Sequence, residues 1–203
     1  MDISFRIILA VLFVAFVAHR GYYTHKYEAD DPARLSTHKS MLAQRVTTVL
    51  IILPPVVLLL YLVAPRWLNW AALSVGDGLR WAGLGLALAG FGLLQWAQNE
   101  LGRHWSDAAR LQADHQLVTT GPYRWLRHPI YSAFLLILSA PLLLSANWLV
   151  GGLWIGMTCL DVTSRIRTEE ALLLARYGEV YRSYCRRTGR ILPRLRGRDV
   201  RSR

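Results

Sequence analysis

The apolar residues of this chain are gathered into long runs instead of recurring at helical period, and those runs set its layout. The first run, from about Ile3 to Tyr23, has the roughly 20 residues needed to cross a bilayer core. Arg6 can snorkel at one end of it, and Tyr22 and Tyr23 suit the membrane interface at the other. The polar stretch from Thr24 to Gln44, with its Asp30-Asp31-Pro32 turn, predicts a connecting loop. A second span follows from about Arg45 to Ala64. In it, Pro54 removes an amide donor and crowds the preceding turn, which predicts a kink. Residues 65–78 read as a short loop carrying the aromatic pair Trp67 and Trp70. The third span, about Leu79 to Trp96, carries Gly83, Gly85, Gly90 and Gly92, small residues that let helix backbones approach closely in lipid.

From Gln95 to Arg127 the chain is polar, and from Ile130 to about Leu160 it is again apolar. That stretch of about thirty residues is too long for one span and short for two. Pro141 and Asn147 fall near its middle and predict a helical hairpin: a shorter fourth helix over Pro129 to Leu144, then a fifth from Trp148 onward. Because Asp161 to Tyr177 keeps a helical composition, the fifth helix is expected to continue beyond the membrane to Gly178, followed by a basic tail. The fold class is therefore an all-α polytopic membrane protein of about five spans. Residues 1–97 hold the first three helices, and residues 98–203 hold the polar loop, hairpin, C-terminal helix and tail.

Charge refines this picture. A net charge of +11 would suit nucleic acid, but the basic residues lie in the loops and the C-terminal region, where membrane topology accounts for them and no nucleic-acid partner is expected. Arg20, Lys26, Arg34, Lys39 and Arg45 around the first loop, the 95–129 loop and the tail are basic, whereas the 65–78 loop has Arg66. That asymmetry predicts an outward N-terminus, with the central loop and the tail both cytosolic. A bacterial inner membrane is the expected location. The first run ends in His19-Arg20-Gly21-Tyr22-Tyr23, not in a small-residue cleavage site, which argues against a cleaved signal. Cys159 and Cys185 show no CxxC or Cys/His spacing, so neither a disulfide scaffold nor a metal site is expected.

Candidate chemistry concentrates in His115 to Ala133. Gly121-Pro122 is a turn signal, after which Tyr123, Arg124, Trp125, Arg127, His128 and Tyr131 crowd together. Pro129 suits the first turn of a helix and would put His128 at its mouth, where free amides and the helix dipole favour an anionic group. Taken singly, these residues also fit an ordinary basic, aromatic cytosolic loop. Glu169-Glu170 likewise fits an ordinary helix end, although adjacent carboxylates there need solvent or partners. Their shared membrane face makes them two halves of one candidate site.

The strings LGRHW, H.LVTTGPYRWLRHPIY, a membrane hairpin, EE and YG..Y..Y…GRILP, in that order over roughly Leu101 to Pro193, resemble the isoprenylcysteine carboxyl methyltransferase and phospholipid methyltransferase superfamily. The resemblance implies S-adenosylmethionine bound on the cytosolic face. One wall of its site would be His115, Val118, Gly121, Tyr123, Arg127, His128 and Tyr131, and the other Glu169 and Glu170. Relatives commonly carry Gly where Ala133 stands; alanine is still small enough for close approach of cofactor or backbone, with a tighter pocket as the other expectation, and the extra spans of the eukaryotic prenylcysteine enzymes are missing.

On that footing, Glu170 can accept the ribose hydroxyls, while Arg127, His128 and the turn amides can hold the methionine carboxylate. Aromatic rings can flank the sulfonium. Arg190 is the candidate for orienting an acidic substrate, and Glu169 or Glu170 could take a proton from an amine. The expected substrate is a lipophilic or lipidated molecule arriving from the bilayer, such as an isoprenylcysteine-type carboxylate. A phospholipid or amine N-methyltransferase is the alternative, with an NADPH-dependent membrane reductase and a non-enzymatic transporter or scaffold as more distant rivals. No Gly-rich loop follows a strand, which excludes a soluble Rossmann-type methyltransferase.

Overall fold

The computed structural model describes residues 3–28, 41–102 and 117–194, with side chains for all of these except 41–51. Five α-helices follow in order: α1 (Ile3–Glu28), α2 (Met41–Val63), α3 (Asp77–Leu101), α4 (Pro129–Ser145) and α5 (Trp148–Arg187). Among the described residues there is no strand, only an antiparallel bridge between Ala72 and Asn147 and a parallel one between Leu126 and Gly189. The all-helical architecture read from the sequence is the one observed.

By length and apolarity alone, Ile3–Lys26 can cross a bilayer. Ile52–Val63 together with Pro65–Ala71 would make a second crossing, bent by 113°. The helix runs on through Pro54 and Pro55, and the sharp turn comes after Val63, where Pro65 starts a 3-10 turn that ends at Ala71. On α1, Ile3, Ile7, Val11, Val14 and Val17 are all more than half exposed, a continuous apolar stripe on the helix face turned away from the bundle. Its other face packs Phe5 and Leu9 against Leu58 and Tyr61 of α2, Ala87 of α3 and Leu144 of α4.

The closest helix pair is α3 with α4. A Cβ on Gly83 would lie 2.8 Å from Leu143 Cβ, and one on Gly90 would lie 2.7 Å from Ile137 Cγ1 and 3.0 Å from the Ala133 carbonyl. Gly85 and Gly92 meet nothing, so half of the predicted glycine set makes the close approach. Ala133 is fully buried on this α3-facing side, not in a pocket.

The predicted hairpin is present, with α4 apolar over 17 residues. Ala146 takes a left-handed φ of 47°, and Asn147 caps α5 by accepting the Leu149 and Val150 amides, each at 3.1 Å. The same Asn147 donates to the Leu68 carbonyl at 2.8 Å. Arg80, lying over the Phe5 ring, donates to the Leu144 carbonyl at the end of α4. These bonds fix one end of the hairpin and leave its opposite end, where α4 begins and α5 departs, to form the site.

Candidate functional site

The polar approach to α4 folds as a turn before it is a helix. Residues 117–120 lead into Gly121, whose φ of 54° is one that glycine takes without steric cost. A Cβ at that position would lie 2.7 Å from Glu100 Oε2 at the end of α3, so the turn is pressed against that helix. Gly121–Arg124 then makes one 3-10 turn, closed by the Tyr123 amide on the Thr120 carbonyl at 3.0 Å.

The other half of the site comes from the far end of α5. The helix does not stop at Gly178, as the sequence predicted. Gly178 adopts a φ of 52°, redirects the axis, and the chain stays helical to Arg187. In this final segment Tyr181, Tyr184, Cys185 and Thr188 share one face by their spacing. The Tyr184 hydroxyl donates to the Tyr123 carbonyl at 2.6 Å. Beyond Arg187 the backbone lies alongside the loop: the Arg127 amide donates to the Gly189 carbonyl at 2.8 Å, His128 to Arg190 at 3.0 Å, and Gly189 to Trp125 at 3.0 Å. Ser132 Oγ adds a bond to the Ile191 carbonyl at 2.7 Å. The amides of Arg127 and His128, just before the helix mouth, are therefore occupied by the chain's own C-terminal segment.

Inside this frame the side chains converge. Arg127 Nε donates to Glu170 Oε1 at 3.1 Å, and its Nη1 donates to the carbonyls of Cys185 (3.0 Å) and Thr188 (2.6 Å). Arg190 Nε reaches the same Glu170 Oε1 at 3.1 Å, while its Nη2 takes Oε2. His128 is buried, stacks on the Tyr131 ring at 5.7 Å and places Nδ1 3.3 Å from Glu169 Oε2. The Tyr131 hydroxyl donates to Glu169 Oε1. His128 Nε2 comes within 3.5 Å of Glu170 Oε1, yet the approach lacks hydrogen-bond geometry, leaving this buried nitrogen without a partner among the described residues.

The electrostatics follow from this packing. Burial alone would raise the Glu170 pKa, but His128 and Arg190 outweigh it and hold the carboxyl down at about 2. For His128, burial disfavours the imidazolium, and the Glu169 and Glu170 carboxylates facing its two ring nitrogens more than offset it, so its pKa lies above the ordinary value. Burial, reinforced by Tyr184, Glu169 and Glu100, pushes the Tyr123 hydroxyl up and keeps it neutral.

Of the residues named from the sequence, Arg127, His128, Tyr131, Glu169, Glu170 and Arg190 form one cluster, and Tyr123 joins it through Tyr184 and through its closeness to Glu169. Gly121 shapes the turn that delivers them. Val118 is half-buried in the segment leading to that turn, and no hydrogen bond ties it to the cluster. His115 lies outside the described residues. Sequence reasoning assigned no role to Tyr181, Tyr184, Thr188 or Gly189, although the 181–184–188 spacing is a helical-face signal.

Comparison with known proteins bears on this region. The isoprenylcysteine carboxyl methyltransferase family model matches residues 83–175. The protein-S-isoprenylcysteine O-methyltransferase of Schizosaccharomyces pombe is 34% identical over 77 residues, 38% of this chain and 33% of that protein. The enzyme of the same name from Tribolium castaneum is 32% identical over 95 residues, 43% of this chain and 31% of that one. The chain thus spans about a third of the length of these two curated relatives. YpbQ of Bacillus subtilis, itself uncharacterised, is 30% identical over 95 residues, 46% of this chain and 56% of that protein. The solved structure of the eukaryotic intramembrane Ras methyltransferase, an isoprenylcysteine carboxyl methyltransferase, superposes with a TM-score of 0.59 over 86% of this chain and 61% of that one. At 22% identity, that likeness is one of fold.

Proposed function

We propose that this chain is a membrane methyltransferase, a reading supported by the match of residues 83–175 to the isoprenylcysteine carboxyl methyltransferase family. It transfers a methyl group from S-adenosylmethionine to the carboxylate of a lipophilic, isoprenylcysteine-type substrate. The observation that carries the reading is the meeting of the two separated motifs: Arg127, His128 and Tyr131 pair with Glu169 and Glu170 from the far side of a membrane hairpin. Two further features support a cofactor there. His128 Nε2 and the Tyr181 hydroxyl are buried polar atoms without a hydrogen bond among the described residues, as expected of a site completed by a polar ligand.

The proposal includes the topology. The fold would cross the membrane about five times, with 1–97 as the membrane frame and 98–203 supplying the site. Exposed Trp67, Trp70 and Trp148 lie at one end of the bundle, and exposed Trp96 and Trp125, which touch at 5.9 Å, lie at the other. These two aromatic groups suit two interfaces. The site sits beside the second group, on the cytosolic side by the distribution of basic residues.

S-adenosylmethionine supplies an electrophilic methyl group on a sulfonium. Displacement by a carboxylate oxygen needs no general base, because that oxygen is already ionised at neutral pH. What remains for the protein is alignment and exclusion of water. Glu170 would accept the ribose hydroxyls, with Arg127 fixing its position. His128 would face the ligand through Nε2 while Glu169 holds the ring by Nδ1. Arg190, with its side chain 58% exposed at the mouth of the cluster, would meet an acidic headgroup. Val118, Gly121 and Tyr123 would form the wall behind, with His115.

Calorimetric titration of the detergent-purified protein with S-adenosylhomocysteine, alongside NADPH, tests the reading. Saturable binding of the first is expected, and His128→Ala and Glu170→Ala should each abolish or greatly weaken it in folded protein. Binding of NADPH alone would assign the site to a reductase instead.

A further inference from the structure

Tyr181 lies at the centre of the final segment of α5, with its side chain turned into the fold: the residue is 3% exposed. Its neighbours on the same helix face are all engaged. Tyr184 bonds the Tyr123 carbonyl, and the Cys185 and Thr188 carbonyls receive Arg127 Nη1. The Tyr181 hydroxyl, by contrast, has no hydrogen-bond partner among the described residues. Burial, then the Glu170 carboxylate and the Cys185 side chain, disfavour its ionisation, so it stays a neutral O–H. His128 Nε2 likewise has no hydrogen bond among the described residues, standing at an ion-pair distance of 3.5 Å from Glu170 Oε1. Two buried polar atoms on different elements of the cluster therefore lack a hydrogen bond among the described residues, although His128 Nε2 keeps its ion-pair contact with Glu170.

A buried hydroxyl left unsatisfied is destabilising, and a phenylalanine would fill the same volume without that cost. A tyrosine in this position has a physical rationale if something other than the protein completes its hydrogen bond. We infer that the Tyr181 hydroxyl is a ligand-binding group of the Arg127–Glu170 cluster, donating to a polar atom of the bound nucleoside cofactor. This inference rests on the methyltransferase reading above and adds a residue beyond the matched region 83–175 to that site.

The test is Tyr181→Phe in full-length, detergent-purified protein, with thermal unfolding measured in the absence of ligand and S-adenosylhomocysteine affinity measured by calorimetry. The expected result is a melting temperature equal to or above that of the wild type, together with affinity weakened on the order of tenfold, as for one lost hydrogen bond in a buried site. A purely structural tyrosine, or one satisfied by a trapped water, predicts the opposite: a lowered melting temperature with unchanged affinity. Either unchanged affinity or a stability loss that accounts for the weaker binding overturns the inference. Tyr184→Phe is the control for a hydroxyl that bonds the fold, and it should lower the melting temperature. If the wild type itself does not bind S-adenosylhomocysteine, it is the methyltransferase reading that fails; if the wild type binds and Tyr181→Phe binds equally, only this assignment fails.

Discussion

Arg127 and Glu170 are 43 positions apart in sequence and meet at 3.1 Å, and the same guanidinium also ties down the carbonyls of Cys185 and Thr188. One side chain thus joins the loop before the hairpin, the helix after it and the C-terminal segment. Three acceptors in fixed directions call for a planar fork, which a lysine ammonium on a flexible stem does not reproduce. Arg127→Lys should therefore fail to restore what Arg127→Ala loses. We expect both to destabilise the protein by about 2 kcal/mol or more and to lose most cofactor affinity, because the part-buried Cys185 and Thr188 carbonyls lose their donor and the loop is no longer tied to α5. Wild-type binding by Arg127→Lys in calorimetry would contradict the tie.

The charge cluster also sets how stability follows pH. Glu170 has its pKa depressed from an ordinary 4.5 to about 2, so its pairing contributes stability that is present above about pH 4.5 and is lost as pH falls toward 2. His128 is shifted the other way. Its contribution is complete below its ordinary value of 6.5 and fades as pH rises through the raised folded-state value. Melting temperature against pH should thus show two sloping limbs around a weakly acidic plateau. Glu170→Gln should flatten the acid limb and His128→Asn the alkaline one. Limbs of unchanged slope in these variants would assign the pH dependence to other groups.

Gly121 meets two constraints at once: a φ of 54° and the carboxylate of Glu100 where a Cβ would stand. Gly121→Ala should cost about 1–2 kcal/mol from backbone conformation, plus the displacement of Glu100. Glu100 is the end of a flexible side chain and can move. The double variant Gly121→Ala with Glu100→Ala should therefore recover the second part and not the first. Thermal unfolding of the single and double variants separates the two, and full recovery would show that the left-handed turn is dispensable.

What the sequence made legible follows from where the information resides. The hairpin could be read because its apolar run has the wrong length for one span and Asn147 is a strong N-cap, which accounts for helices starting at Pro129 and Trp148. Arg127, His128, Glu169 and Glu170 stand out through the resemblance of RHPIY and EE, set either side of a hairpin, to a known family; singly they also fit an ordinary loop and helix end. The closure of the loop by Gly189 and Arg190 was not legible, because backbone hydrogen bonds carry no side-chain signature. Gly178 was read as a stop signal, whereas its left-handed φ only turns the helix. A small residue at Ala133 allows close approach of either cofactor or backbone, and motif position does not say which; the backbone of α3 at Gly90 is what meets it.

Arg190 tests whether the mouth of the cluster serves the substrate or only the fold. Its guanidinium pairs with Glu170, but the side chain is 58% exposed while that of Glu170 is 16% exposed. An ion pair with one solvated partner contributes little to stability, and Arg127 and His128 remain on Glu170 when it is removed. Arg190→Ala should therefore leave S-adenosylhomocysteine affinity within about fivefold of wild type and the melting temperature nearly unchanged. If Arg190 orients an acidic headgroup, turnover of an S-prenylated, N-acylated cysteine should fall on the order of tenfold or more, chiefly through KM, with partial recovery in Arg190→Lys. A neutral lipophilic acceptor, if any is turned over, should lose far less. An unchanged rate on the carboxylate substrate would reduce Arg190 to a clamp on Glu170, and a parallel loss of cofactor binding and turnover would place it with Arg127 in the cofactor wall.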